Sequence, residues 1–431
     1  MDLGIWIVLL MIVFMFLGMP VAFSLGVAGL IGLLLVGGLD SAFSILSTTP
    51  YRTAAHYTLT TLPMFILMAQ FISASQIVDD IFHAAQRWLE RLPGGLAIAT
   101  IFAAAGMAAM SGSSTASAAT LSQIAVPQML KYGYSRKVAT GVVTVAGTLA
   151  IMIPPSIAFV LYGIITETSI GKLLIAGIIP GILTAVMYCI GILAWNKVSP
   201  GVMPPSTSIY TWKDRWSSLR PLWAFIILSV SVVGSMYIGL ATPTEASAFG
   251  AFGALIIPLA LRRMTKPAFK KSVTGAVRTT TMIFTIIIGA MVFGYFLTLT
   301  QTTQKLIGFL GSMQVSPTTV MGMVVILYLV LGCIMDQVAI QLITLPLTFP
   351  LVTGLGYDPI WFGVISTKLA EIGLVTPPVG MNAFVVSATT KTPLEEVFQG
   401  TAVLLLVDAI SLILLLSFPI LSTYLPSKMI G

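Results

Sequence analysis

Long apolar stretches separated by short polar ones run along almost the whole chain. Most of them approach or exceed about 20 residues, the length that an α-helix needs to cross roughly 30 Å of hydrocarbon. The pattern therefore predicts an all-α polytopic membrane protein. The predicted crossings of the first half are 4–18, 20–37, 59–76, 136–166 and 172–195, and those of the second half are 220–239, 243–262, 278–300, 359–389 and 397–424.

Two further apolar segments are interrupted by polar residues and do not fit a single crossing. The first, 93–130, contains the polar run SGSSTAS at 111–117, and the second, 317–352, is interrupted around Asp336. Irregular backbone inside a membrane persists only when it is buried in protein or lines a water-filled cavity. We interpret each segment as a re-entrant helical hairpin whose tip lies near the middle of the membrane.

A proline pair recurs at a fixed distance along the chain. Pro154-Pro155 and Pro377-Pro378 are 223 residues apart, and each pair interrupts a predicted crossing, 136–166 or 359–389. Proline removes a backbone N–H and breaks a helix, so these crossings are predicted to be broken helices. A duplicated membrane half with interrupted helices at corresponding places is typical of a secondary transporter.

The repeat predicts two halves, residues 1–219 and 220–431, related by inversion. Five crossings plus one returning hairpin is an odd number, so the second half enters the membrane from the opposite side. The Lys and Arg residues agree with this arrangement, since 16 lie in the loops on one predicted side and four on the other. The positive-inside rule places the first set in the cytoplasm and both termini in the periplasm.

Composition narrows the classes of partner. Of the 431 residues 57% are hydrophobic and only 8% are charged, which excludes an ordinary water-soluble globular domain. The net charge of +7 follows from the loop bias, so we expect no nucleic-acid partner. The basic stripe at 262–271 is expected to contact anionic membrane lipid. Residues 77–92 have the spacing of an amphipathic helix at the interface, either as a connector or as a docking site for a partner subunit.

The polar interruptions carry the candidate chemistry. Hydroxyl and carbonyl oxygens are hard ligands that suit a dehydrated alkali cation, and broken helices free carbonyls to supply them. The run at 111–117 holds five hydroxyl residues, although small polar residues also allow close helix packing. Asp336 is an ionisable residue inside an apolar segment and therefore a functional-site candidate, while a helix cap is its structural alternative.

Four further charged residues lie in predicted crossings or at their starts. Lys368 and Glu371 are spaced to form an intrahelical ion pair, unless Lys368 instead faces a cavity and attracts an anionic substrate. Glu245 has the position of a first-turn carboxylate. Asp408 stands alone in the last crossing and receives no assignment.

The chain resembles the large membrane subunit of the tripartite ATP-independent periplasmic (TRAP) transporters. The motifs that carry the resemblance are SGSSTAS (111–117), the segment from IPPS to IIPG (153–181), TPTEASAFG (242–250) and TPPVGMNAFVVSA (376–388). The resemblance implies sodium-coupled import of an organic anion, such as a dicarboxylate or a sialic acid, by an elevator mechanism. It also implies two protein partners, a small four-helix membrane subunit and a soluble periplasmic substrate-binding protein. Sodium serves as the coupling ion, and no cofactor is expected.

We predict one sodium site in each half, with the anion between the two hairpin tips. The predicted sodium ligands are Ser111, Gly112, Ser113, Ser114, Thr115, Gly147 and Ser156 in the first half and Asp336, Gln337, Thr376 and Gly380 in the second. The predicted substrate-binding residues are Ser117, Pro154, Pro155, Lys368, Pro377 and Asn382.

The alternatives are another type of carrier and, in a different class, a membrane-embedded enzyme or a purely structural scaffold subunit, which would have no polar breaks. A stand-alone sodium-coupled anion carrier of related inverted-repeat fold is the alternative within the transporter class. A membrane-embedded enzyme would show a nucleophile–base pair in a plausible cavity, and direct ATP hydrolysis would require a phosphate-binding glycine loop. The sequence shows neither, so we expect that the protein is not an enzyme. Nothing in it selects one organic anion.

Overall fold

The computed structural model describes residues 3–204, 210–312 and 315–429, and this part of the chain is helical throughout. Short 3-10 or π turns join some of the helices. The helices are α1 (Leu3–Phe16), α2 (Val21–Ala54), α3 (Thr61–Ser73), α4 (Ile77–Leu89), α5 (Gly95–Ser111), α6 (Ser114–Lys131), α7 (Arg136–Met152), α8 (Ile157–Thr166), α9 (Ile170–Ala176), α10 (Ile178–Val198), α11 (Trp212–Leu219), α12 (Trp223–Ser229), α13 (Ser235–Tyr237), α14 (Pro243–Ala260), α15 (Lys266–Leu299), α16 (Thr302–Ser312), α17 (Pro317–Gly332), α18 (Gln337–Gly354), α19 (Pro359–Gly373), α20 (Met381–Thr390), α21 (Leu394–Ser417) and α22 (Ile420–Lys428).

The fold is that of a multi-pass membrane protein. Among the described residues, seven helical segments are long and apolar enough to cross a membrane, or nine if two bent pairs are each taken as one crossing. One of those bent pairs is α7 and α8, which meet at 41° and correspond to the broken crossing predicted at 136–166. The crossing predicted at 4–18 corresponds to the 14-residue α1, which is short for a crossing. The all-α polytopic class is confirmed.

Both predicted hairpins are pairs of consecutive helices that pack against each other. In the first, α5 and α6 are separated by Gly112 and Ser113, and in the second, α17 and α18 are separated by residues 333–336. Gly112 has φ +60°, a conformation that glycine adopts at little cost and that reverses the chain between two helices. How deep the two tips lie in a membrane stays a prediction.

The helix bounds of the two halves correspond at the offset of 223 residues. Moved by that number, α6 (114–131) falls on 337–354, the bounds of α18. Likewise α7 falls on 359–375 and covers α19, which ends two residues earlier. Helix α8 falls on 380–389, within one residue of both bounds of α20. The duplication therefore extends from sequence to local structure, and the inversion between the halves stays a prediction.

Helices outside the hairpins pair crosswise between the halves. Helix α2 packs along α15, and α14 packs along α3. At Gly29 the backbones are so close that an added Cβ would lie 2.8 Å from the backbone of Phe293. Small residues allow this kind of close approach between membrane helices. We call α2, α3, α14 and α15 the framework, because they join the two halves independently of the hairpins.

Three helical stretches were not expected from the sequence. Helix α2 continues beyond the predicted end at residue 37 to Ala54, through a kink where Gly38 has φ +72°. Helix α15 begins at Lys266, inside the basic segment expected to be a loop, and α16 follows it. Basic residues are good helix formers, and loss of hydrophobicity alone does not end a helix at a membrane surface.

The amphipathic segment predicted at 77–92 is the helix α4. It meets the preceding helical segment at 61° and packs one face against α5. Arg263 forms an ion pair with Asp80, and the indole N–H of Trp88 donates to the carbonyl of Arg215 at 3.1 Å. Helix α4 is thus tied to the loop after α14 and to α11. Whether a partner subunit docks there stays a prediction.

Candidate functional site

The first helix break is enclosed by the first hairpin tip. Helix α7 ends at Met152 and α8 begins at Ile157. Pro154, Pro155 and Ser156 between them are buried, and the Pro154–Pro155 bond is cis. The backbone N–H of Ile157 donates to the carbonyl of Gly112 at 3.4 Å, so the tip of the hairpin lies directly on the break.

Glycines allow this close contact. A Cβ at Gly112 would lie 2.6 Å from the carbonyl oxygen of Pro155. A Cβ at Gly147 would lie 2.8 Å from that of Ala118, which lies in the second hairpin helix α6. Five of the seven ligands predicted in the first half, at 111–115, therefore lie on the hairpin that packs on Gly147 and on the break containing Ser156.

The hydroxyls of the first tip are partly bonded to one another. The hydroxyls of Ser111 and Ser117 are 2.9 Å apart, and those of Ser113 and Thr115 are 3.5 Å apart. Ser113 is the N-cap of α6, but its side chain makes no capping hydrogen bond. Ser113 and Thr115 are also only partly buried, so their oxygens are available at the surface of the tip.

One contact joins the first tip to the second half. The hydroxyl of Ser114 donates to Oδ1 of Asn382 at 2.8 Å, and Nδ2 of Asn382 donates to the carbonyl of Thr144 on α7 at 3.3 Å. All three residues are buried. Asn382 lies in the first turn of α20, directly after the second break, so residues predicted for the sodium and substrate sets are in hydrogen-bond contact.

The second break is held by the second hairpin tip through the backbone. The N–H groups of Val379 and Gly380 donate to the carbonyl of Cys333 at 3.2 and 3.3 Å. Gly380 has φ +53°, and the Pro377–Pro378 bond is cis. Unlike the first break, this one is open: Pro377, Pro378 and Val379 are exposed.

At the second tip one polar side chain caps a helix, and another has a buried nitrogen without a hydrogen-bond partner among the described residues. Asp336 caps α18, since its Oδ1 accepts from the N–H of Ala339 at 2.7 Å. Gln337 is buried, and its Nε2 has no hydrogen-bond partner among the described residues. The hydroxyl of Thr376 donates to the carbonyl of Ile372 at 2.6 Å. The cap predicted as the structural alternative for Asp336 is present, and cation binding by this carboxylate stays a prediction.

Lys368 lies in a buried charged cluster that the sequence reasoning found only in part. Its ammonium is 2.6 Å from Oδ1 of Asp408 and 3.3 Å from Oε2 of Glu371, and all three side chains have zero exposure. The ion pair of Lys368 and Glu371, one of the two alternatives raised from the sequence, is present. In this conformation the ammonium faces the two carboxylates and not an open cavity, so its contact with substrate stays a prediction.

Asp408 is the residue that sequence reasoning left without a role. A lone carboxylate in an apolar crossing signals a partner, but the partner, Lys368, lies 40 residues earlier on another helix. Only the packing of α19 beside α21 identifies it.

The geometry gathers neutral oxygens and one carboxylate around two broken helices. Hydroxyls, carbonyls and Asp336 are oxygen donors of the kind that bind hard cations, and nitrogen or sulfur donors that favour transition metals are not grouped there. The seven ligands predicted in the first half lie around an enclosed break, and those predicted in the second half lie around an open one. Such an arrangement suits reversible binding of small ions and an anion more than covalent chemistry.

Comparison with known proteins gives a consistent result. Residues 8–421 match the family described as "Tripartite ATP-independent periplasmic transporter, DctM component". The chain is 36% identical to the C4-dicarboxylate TRAP transporter large permease protein DctM of Pseudomonas aeruginosa over 94% of each chain. It is 33% identical to the protein of the same name from Vibrio cholerae, over 98% of this chain and 97% of the relative.

More distant similarities extend the comparison. The sialic acid TRAP transporter large permease protein SiaM of Vibrio cholerae is 28% identical over 97% of each chain. The crystal structure of the YdaH transporter of Alcanivorax borkumensis matches 90% of each chain with a TM-score of 0.64 at 12% identity, which is a likeness of fold.

Proposed function

We propose a specific transport reaction from one premise: the chain belongs to the DctM component family of TRAP transporters, multi-pass proteins of the bacterial inner membrane. Its relatives are named permeases, so the function is transport. Membership in the family also implies a small membrane subunit and a periplasmic binding protein as partners. The reaction we propose is sodium-coupled import of an organic anion that the binding protein delivers.

The contact between Ser114 and Asn382 is the observation that carries this proposal. It joins the first hairpin tip to the helix after the second break, so a change at either tip is transmitted to the other half. Sodium bound by the neutral oxygens of the first tip adds a positive charge there and orders the tip. An anion that binds next to an occupied tip then costs less free energy, which is the physical basis of coupling.

The proposed anion lies between the tips, at the N-termini of the broken-helix halves. Helix α20 begins at Met381, and its first N–H groups together with the helix dipole favour negative charge. The exposure of Pro377 and Val379 gives an anion access to this end. A neutral amide, Asn382, lies at the same place to orient a carboxylate.

The proposed mechanism is of the elevator type. The hairpins and broken helices pack on one another, α6 against α20 and α18 against α8, and form one connected group across the two halves. The framework helices pair mainly with each other and contact this group through α3 against α5 and α15 against α18. We propose that the connected group moves against the framework with sodium and anion bound.

A cavity near the predicted periplasmic side supports this arrangement. It has a volume of about 850 Å³ and lies between the end of α2, the end of α8, the start of α9 and the start of α14. Arg52, His56 and Glu167 line it, so its wall presents a guanidinium, an imidazole and one carboxylate. We propose it as the approach for an anionic substrate.

The experiment is uptake into proteoliposomes that contain the chain and its small membrane subunit. A labelled C4-dicarboxylate is added with candidate binding proteins, with an inward sodium gradient, with potassium in its place, or with no gradient. We expect uptake only with both sodium and a binding protein. Uptake without any binding protein would favour the stand-alone carrier, and uptake with potassium alone would refute sodium coupling. If dicarboxylate fails while a sialic acid is imported, only the substrate assignment changes.

A further inference from the structure

The cluster of Lys368, Glu371 and Asp408 has more negative than positive groups in a place without water-accessible surface. Two carboxylates and one ammonium give a net charge of −1 when all three are ionised. All three side chains have zero exposure. An uncompensated charge in a low-dielectric interior costs several kcal/mol, and a buried carboxyl group usually binds a proton instead.

We propose that this cluster is a proton-binding site, with one proton held on Glu371. Apart from Lys368, which the sequence predicts as a substrate contact, the cluster shares no residue with the sodium or anion sites named above, and the proposal does not depend on those sites. The ligand is a proton and not a metal ion, because the ammonium of Lys368 already occupies the position next to both carboxylates. A second cation there would face that ammonium at close range.

The hydrogen bonds identify which carboxyl group is ionised. Oδ1 of Asp408 accepts two short bonds, from the ammonium of Lys368 and from the hydroxyl of Tyr188, both at 2.6 Å. Short bonds from a cation and a hydroxyl are those that an ionised carboxylate makes. Asp408 is therefore the carboxylate of the cluster, paired with Lys368.

Glu371 has the surroundings of the neutral acid. Its Oε1 accepts from the hydroxyl of Thr148 at 2.8 Å and has a longer contact of 3.4 Å with the hydroxyl of Tyr188. Its Oε2, 3.3 Å from the ammonium, makes no hydrogen bond of acceptable geometry. Oδ2 of Asp408 likewise has no hydrogen-bond partner among the described residues, so the assignment rests on the accepting oxygens. Asp408 receives the two shortest bonds, one of them from the ammonium, and Glu371 receives the weaker bonds expected of a neutral acid.

The groups that face Glu371 come from several helices. Lys368 lies on its own helix α19, Tyr188 on α10 and Asp408 on α21, and these are the titratable ones. Helix α7 contributes the neutral Thr148. With one proton the cluster is neutral overall, so it joins the four helices α7, α10, α19 and α21 without a net buried charge.

The assignment is tested by infrared difference spectroscopy, in which the spectrum of a variant is subtracted from that of the wild type. The sample is the purified full-length protein with its membrane subunit. We expect a carboxylic-acid C=O band at neutral pH that Glu371→Gln removes. The matched control is Glu245→Gln, an exposed carboxylate in a capping box, which leaves the band unchanged. The melting temperature supplies a second readout: a folded state that holds the extra proton loses stability as pH rises, and Glu371→Gln flattens that dependence.

Thr148→Val is a second variant that can be used if Glu371→Gln does not fold, because it removes a hydrogen bond to Glu371 and keeps the carboxyl group. Loss of the hydrogen bond to Oε1 shifts the acid band to higher frequency when the band belongs to Glu371. A band unaffected by both Thr148→Val and Glu371→Gln would overturn the proposal. The proposal would also be overturned if the band were present only without sodium and vanished when sodium chloride is added. If Asp336→Asn showed the same response as the wild type, the sodium would not be acting through the second tip, and the cluster itself would be a metal-ion site.

Discussion

In the first half of the chain the proline break is enclosed, whereas in the second half the corresponding break is open. Ser156 and Val379 are 223 residues apart and hold the same place after the two proline pairs. Ser156 has zero exposure, and Val379 is 37% exposed. The first tip lies on its break through Gly112, and the second tip reaches its break only through the carbonyl of Cys333.

The halves also differ in charge at corresponding positions. At the same offset, Ser113 corresponds to Asp336 and Val145 corresponds to Lys368. Thr148 corresponds to Glu371, and these two residues hydrogen-bond to each other. The duplicated helices have kept their bounds while ionisable groups occur in one copy only. The two tips therefore share their helix bounds and differ in the side chains that they carry at these positions.

The largest effect is expected from removing the ammonium of the charged cluster. Lys368→Met leaves Asp408 ionised and buried without its partner, and breaking a buried pair costs about 3–5 kcal/mol. We expect a large fall in the melting temperature of the purified protein. Lys270→Met, at an exposed position, is the control and should change it little.

A second substitution sharpens this prediction. Lys368→Met combined with Asp408→Asn brings the cluster close to the uncharged state of the first half, where Val145 takes the place of Lys368. If Glu371 holds a proton, the double variant has no buried charge and recovers most of the lost stability. If the double variant is no more stable than Lys368→Met alone, the assignment of an ionised Asp408 and a protonated Glu371 is wrong.

Sequence reasoning located the tips and breaks because proline, glycine and polar residues inside apolar segments leave strong local signals. The bounds of α6, α7, α17 and α18 follow the predicted segments closely. It did not find the bonds from Ser114 to Asn382 or from Lys368 to Asp408, because these contacts depend on how distant helices pack. The open state of the second break was equally inaccessible, since both breaks contain the same dipeptide.

The two tip glycines are expected to differ in their tolerance of a side chain. Both have positive φ, which costs roughly 1–2 kcal/mol for alanine. At Gly112 the new Cβ also meets the carbonyl oxygen of Pro155 at 2.6 Å, whereas at Gly380 its nearest neighbour is the ring of Phe398. Backbone moves less readily than a ring, so Gly112→Ala should lower the melting temperature more than Gly380→Ala. Equal losses would show that the first break is not tightly enclosed.

The charge at the second tip is expected to matter for coupling more than for folding. Asp336→Asn keeps a good N-cap for α18 and removes the charge. We expect the sodium concentration for half-maximal uptake to rise roughly tenfold, equivalent to about 1.4 kcal/mol of binding free energy. Asp358→Asn is matched, because Asp358 caps α19 in the same way. A parallel change in both variants would reduce Asp336 to a capping residue, and the second sodium site would be withdrawn.

The smallest perturbation tests the openness of the breaks directly. In a variant with Cys189 and Cys333 replaced by alanine, a cysteine is introduced by Ser156→Cys or by Val379→Cys. We expect a membrane-impermeant maleimide to label the protein with the cysteine at 379 readily and the one at 156 slowly, because only the second position is exposed. If sodium binds at the second tip and draws it onto the break, sodium chloride should slow labelling at 379, and potassium chloride should not. If the two positions are labelled at equal rates, both breaks open to the same extent. The contrast between the two halves would then describe only one conformation of a symmetric transport cycle.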